Sequence, residues 1–104
     1  MTEVEKQSVA LRVGHLLQIG TYATMAILSM WQANPRAPII MGMAQASVRG
    51  KGPDGNDEEL LEQLRALISE AIEYYEKGEF PAAMARMRIA HDLTGLQIIR
   101  ISGE

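Results

Sequence analysis

The sequence predicts an all-α fold, a small bundle of four or five helices with a helical hairpin in its C-terminal half. Three observations predict it. Residues 57–93 hold two amphipathic stretches at helical spacing, parted by Lys77-Gly78-Glu79. Val9, Val13, Leu16, Leu17 and Gly20 recur at the same spacing in the first thirty residues, where Met, Ala and Leu dominate. Asn34-Pro35-Arg36-Ala37-Pro38 and Gly50-Lys51-Gly52-Pro53-Asp54-Gly55 punctuate the chain as breaks.

At 104 residues the chain is one domain, spanning 1–104. It divides into an apolar helical half (1–49), a flexible linker (50–56), an amphipathic hairpin (57–95) and an apolar tail (96–104). The first helix runs from about Val4 to Ala33. Gly20 either ends it and starts another, or is tolerated within it at about 1 kcal/mol. Pro38 suits the first turn of a short helix over Ile39–Val48.

The third helix has the clearest local signals. Asn56 and Glu59 are spaced as a capping box, and Asp57 and Glu58 suit the positive helix end. Leu61, Leu64, Ile68, Ala71 or Ile72, and Tyr75 make the inward stripe. Lys77-Gly78 ends it, with glycine available for a left-handed cap. In the fourth helix Phe80, Ala83, Met84, Met87, Ala90 and His91 share an arc of roughly 120°. That helix is predicted to stop at Thr94-Gly95. The β-branched Leu96–Ile101 then reads as a strand or a packed tail.

Composition excludes several classes of function. The net charge is −3, with both signs spread along the chain and no basic stripe for nucleic acid. Five aromatic residues (Tyr22, Trp31, Tyr74, Tyr75, Phe80) make a poor base-stacking platform. With no cysteine there is no disulfide scaffold, thiolate metal site or thiol nucleophile, which fits the cytoplasm. Glu3 and Glu5 are unlike the basic start of an export signal. Residues 13–35 carry no formal charge, but His15, Gln18, Thr21, Tyr22, Thr24, Ser29 and Gln32 interrupt them as in a core helix, so no membrane span is expected.

The hairpin residues resemble a tetratricopeptide repeat. Ala71 and Tyr74 fit that family's first helix, Gly78, Glu79 and Phe80 its turn, and Ala83 and Ala90 its second helix. Leu67 stands where the family has tryptophan and Gly95 where it has proline. The match covers about a quarter of the chain, and such repeats normally come in arrays. A fainter echo, Leu16–Tyr22 with Gly20 in register with Gly78, would place a second turn at Gly20.

Candidate chemistry is sparse. No histidine spacing suits a metal, and both His15 and His91 read as structural residues. Neither a metal nor another cofactor is expected. Arg86 and His91 form an Arg-x4-His spacing similar to the motif of HEPN-type helical ribonucleases. That likeness implies a dimer whose paired motifs cleave RNA. Met87 departs from the family's polar residue after the arginine. Positions five apart also point about 140° away from each other on a helix.

The expectation is therefore a small non-enzymatic protein–protein interaction module: an adaptor, chaperone or accessory subunit. It would offer the groove of its hairpin to a protein or peptide partner. It would also self-associate, most simply as a homodimer, through Ile27, Leu28, Trp31, Ile39 and Ile40, because the N-terminal half carries more apolar surface than two further helices cover.

Overall fold

The computed structural model describes residues 2–103; the outermost residue at each end of the expected 1–104 domain lies outside them. Four α-helices make up the fold, and no strand occurs among the described residues. They are α1 (Glu3–Trp31), α2 (Ala37–Ser47), α3 (Glu58–Glu76) and α4 (Phe80–Ser102), with a single 3-10 turn at Pro53–Gly55. They run up, down, up and down, and α4 closes the ring by packing antiparallel along α1.

The long helix α1 sets the shape. Its 29 residues make a rod of about 43 Å at 1.5 Å per residue, most of the molecule's 49 Å long axis. Gly20 lies inside this one helix and makes no turn, so the echo of the hairpin is not a second hairpin. The missing side chain serves packing instead. A Cβ there would stand 3.2 Å from Thr94 Oγ1 on α4. Thr94 is itself buried, its hydroxyl donating to the His91 carbonyl at 2.7 Å.

Both helix pairs turn in the same way. At the end of α3, Glu79 N–H donates to the Tyr74 carbonyl and Gly78 N–H to the Tyr75 carbonyl, with Gly78 at φ +78°. At the end of α1, Asn34 N–H reaches the Ser29 carbonyl and Ala33 N–H the Met30 carbonyl. Each is a Schellman cap, which satisfies carbonyls that a helix end would otherwise leave open. The second one places an alanine, Ala33, at φ +53°. Pro38 then sits in the first turn of α2.

The core is filled by Leu16, Ile19 and Ala23 of α1, Met41 of α2, Leu61, Leu64 and Ile68 of α3, and Met87 of α4, all at most 1% exposed. Alanines at 26, 44, 71, 83 and 90 are fully buried and let the helix axes approach closely. The methionines split between roles. Met30, Met41 and Met87 are core, Met84 is half-buried, and Met25 and Met43 are exposed.

Three local expectations need correction. Asn56 does not cap α3: its amide donates to the Pro53 carbonyl, and the capping position falls to Asp57, whose side chain makes no cap bond. Leu96–Ile101 is not a strand and α4 does not stop at Thr94-Gly95: the helix runs through to Ser102, and the segment packs as part of it. Gly95 costs helix propensity, but Ile98 and Ile101 beyond it pack against the core, and that packing outweighs the glycine. Nor is 50–56 a free tether. Arg65 donates to the Val48 and Gly50 carbonyls at 2.8 and 2.6 Å, and Ser8 Oγ donates to Asp54.

The two caps make opposite predictions for stability. Gly78→Ala forces a Cβ into the left-handed region and loses about 1 kcal/mol, whereas Ala33→Gly relieves that strain and gains up to about 1 kcal/mol. Urea denaturation of the two variants beside the parent checks both signs.

Candidate functional site

The hairpin does not offer an open groove. Ala71, Ala83 and Ala90 are fully buried, because α1 and α2 occupy the face on which a partner segment was expected to dock. At its tip Phe80 packs on Tyr75 across the turn, with ring centroids 5.1 Å apart. Tyr74 is half-buried beneath Arg86, whose guanidinium lies 4.7 Å from the ring centroid. The residues predicted to shape the hairpin therefore serve its turn and internal packing.

Arg86 and His91 diverge. Arg86 faces α3, held by Glu70 at 3.5 Å and by the Tyr74 ring. His91 turns toward α1, its ring edge nearest the Gly20 backbone, and its Nδ1 lies 3.3 Å from Asp92. The 140° separation on the helix is what parts them. His91 lines the groove beside Gly20, and Arg86 is not among that groove's lining residues. His15 is a structural staple: its Nε2 lies 2.8 Å from the Ser47 carbonyl, so Nε2 carries the proton and donates, joining α1 to the end of α2.

The strongest polar cluster is one that the sequence pattern did not reveal. Asp57 Oδ2 and Oδ1 accept from Arg12 Nε and a terminal guanidinium nitrogen at 3.1 and 2.8 Å, and Oδ1 also accepts from Gln97 Nε2 at 2.9 Å. The Asp57 side chain is 1% exposed and that of Arg12 is 23% exposed. Asp57 adopts φ +65°, which aims its carboxylate inward between α1 and α4. The Arg12 hydrogen bonds hold the carboxyl below the usual carboxylate range, against the opposing effect of burial and with support from Gln97. Beside this cluster a cleft of about 530 Å³ opens between α3 and α4, with Glu58, Glu59 and Arg100 at its rim. The three bonds inside the cluster are mutually satisfied, so it works as a clamp on three elements, with no catalytic dyad among them.

The remaining feature is apolar and lies on α1. Ala10, Gly14, Leu17, Thr21, Thr24, Leu28 and Trp31 are all exposed, spaced alternately four and three residues apart. Leu17, Leu28 and Trp31 are 54%, 51% and 76% exposed. No charged residue lies between Arg12 and Arg36. The spacing is that of a coiled-coil seam, turned to solvent. Along one side runs a shallow groove of about 320 Å³ between α1 and α4, lined by Leu17, Gly20 and Thr21 and by His91, Thr94 and Gly95. Of the expected self-association residues, Leu28, Trp31 and Ile39 are exposed, whereas Ile27 and Ile40 are half-buried against the core. They lie on the inner flanks of α1 and α2, where most of each side chain packs inward.

Among the described residues no group of acidic or histidine side chains is placed to hold a metal ion, and no helix is long and apolar enough to cross a membrane.

The clamp yields a pH-dependent prediction. Asp57→Asn keeps the shape but loses the charge, and at neutral pH it lowers stability by about 2–3 kcal/mol. Because the folded carboxyl titrates below its usual value, its contribution is fully present above about pH 4 and is lost as the pH falls through the lowered value. Denaturant titrations across pH should show a constant gap between parent and variant near neutrality, closing in acid. Comparison with protein-family models, curated proteins and solved structures finds no match to this chain.

Proposed function

We propose that this protein is a non-enzymatic helical protein–protein interaction module, of the adaptor, chaperone or accessory-subunit kind, acting in the cytoplasm through the exposed face of α1. One observation carries this reading. Leu17, Leu28 and Trp31 stand more than half exposed on a helix face that bears no charge from Ala10 to Trp31. Burying a large apolar side chain is worth about 1.5–3 kcal/mol, so three on one rigid helix are a substantial source of binding energy. The Gly20 groove beside them gives the partner a recessed edge.

The ribonuclease alternative draws no such support. Arg86 is engaged by Glu70 and Tyr74 on the side away from His91. Arg88, the basic residue beside His91, is paired with Asp92, and no wider basic patch accompanies the pair to hold a phosphate backbone.

Two experiments test the reading. A Leu28→Lys/Trp31→Lys variant changes only exposed positions and should keep the parent's helicity and the melting temperature of the dilute monomer. Quantitative capture from the source cell should recover partners with the parent and lose them with the variant; an identical set from both would overturn the role of this face. On RNA, the parent and an Arg86→Ala/His91→Ala variant should be equally inert. Cleavage by the parent that disappears in the double variant would overturn the non-enzymatic reading.

A further inference from the structure

We propose that the occupant of the α1 face is a second copy of this chain, packed antiparallel, with Leu17 opposite the partner's Leu28, Thr21 opposite the partner's Thr24, and Gly14 opposite the partner's Trp31. This rests on the interaction reading above and names its partner. The exposed seam consists of two interleaved sets at seven-residue spacing: Ala10, Leu17, Thr24 and Trp31, and Gly14, Thr21 and Leu28. Reversing one helix against another brings one set opposite the other. A single register aligns all three pairs at once, and by two-fold symmetry each occurs twice. The six layers span about 26 Å of helix at 1.5 Å per residue.

The steric match is self-complementary. Leucine meets leucine, and threonine meets threonine at the centre. The Thr21 hydroxyl already donates to the Leu17 carbonyl at 2.8 Å, so its burial orphans no donor. The largest side chain meets the smallest. Trp31 is the most exposed of the large apolar residues in the seam, and the space above Gly14 is open, with nothing within 4 Å of where a Cβ would stand. A parallel pair fits badly. It sets Gly14 on Gly14, leaving a void, and Trp31 on Trp31, crowding the far end.

Charge favours the same orientation. Glu3 and Glu5 outnumber Lys6 at the start of α1, a net charge of −1, and exposed Arg36 follows its other end. Antiparallel pairing brings these opposite signs toward each other, whereas parallel pairing stacks acid on acid.

The absence of cysteine makes the register directly testable. Parent protein at micromolar concentration should sediment at twice the 11.5 kDa chain mass. Leu17→Cys and Leu28→Cys change exposed positions, and their folding is checked by circular dichroism. Oxidation of an equal mixture should give a disulfide-linked dimer, and oxidation of either variant alone should give little. Gly14→Leu supplies an independent readout, since the added side chain meets open space in the monomer. It should raise the melting temperature of the dilute monomer and weaken the dimer at least about tenfold by filling the Trp31 site.

Cross-linking of each single variant with itself, or a dimer that forms no mixed cross-link, would overturn the antiparallel register. A chain that stays monomeric would overturn the second copy as occupant. In that case, loss of captured partners on Leu28→Lys/Trp31→Lys substitution would still uphold the interaction module, and failure of both would remove it.

Discussion

The carboxylate of Asp57 is the constraint on which the arrangement of the helices depends. A buried carboxylate is costly unless its lone pairs are filled, and here α1 supplies two donors through Arg12 and α4 supplies one through Gln97. Several local irregularities follow from that demand. Asp57 takes a left-handed conformation, α3 begins without a side-chain cap, and the preceding loop is drawn in tightly. Gly52 illustrates the tightness, since a Cβ there would lie 2.5 Å from the Asn56 carbonyl oxygen. The clamp also fixes the relative height of α1 and α4, and with it the contact of Gly20 on Thr94 farther along the same pair.

What was legible in the sequence was local. Gly78 between two amphipathic stretches, the Leu61/Leu64/Ile68/Ala71 stripe and the proline break at 34–38 each report on neighbours within a few residues. The structure has a helix, a buried face or a turn at those places. The clamp joins residues 45 and 40 positions apart, and no local pattern marks such a pair. Worse, Asn56-Asp57-Glu58-Glu59 already satisfies a local motif, so the same residues point to a capping box. A local rule lost there to a buried charge.

Gly95 misled for a related reason. Glycine ends a helix when nothing beyond it needs the helix to continue, and is carried through when packing beyond it is strong enough. The deciding residues, Ile98 and Ile101, look β-branched and strand-like in isolation, yet they lie against the core on α4. The exposed apolar surface was half legible for the same kind of reason. An uncharged run announces apolar surface but not which side of the helix faces in. Ile27 and Leu28 are adjacent and point about 100° apart, and only the packed helices decide which one is left in water.

That leaves the outer face of α1 to be explained, and the chain itself supplies the comparison. On α3 the solvent side carries Glu59, Glu62, Glu70 and Glu73, so an exposed helix face of this protein can be heavily charged. Single exposed apolar residues are ordinary on any surface and call for no account. An exposed face that excludes charge for some twenty residues and repeats at the spacing of a helix–helix seam is different, because monomer stability gains nothing from it. The inner face of α1 is already complete, with Leu16, Ile19, Ala23 and Ala26 fully buried. Charges at Leu17, Thr24 or Leu28 would cost the isolated fold little and would improve its solubility. On the reading proposed above, the composition of this face answers a constraint outside the monomer, and its four-and-three spacing is that of a helix–helix seam.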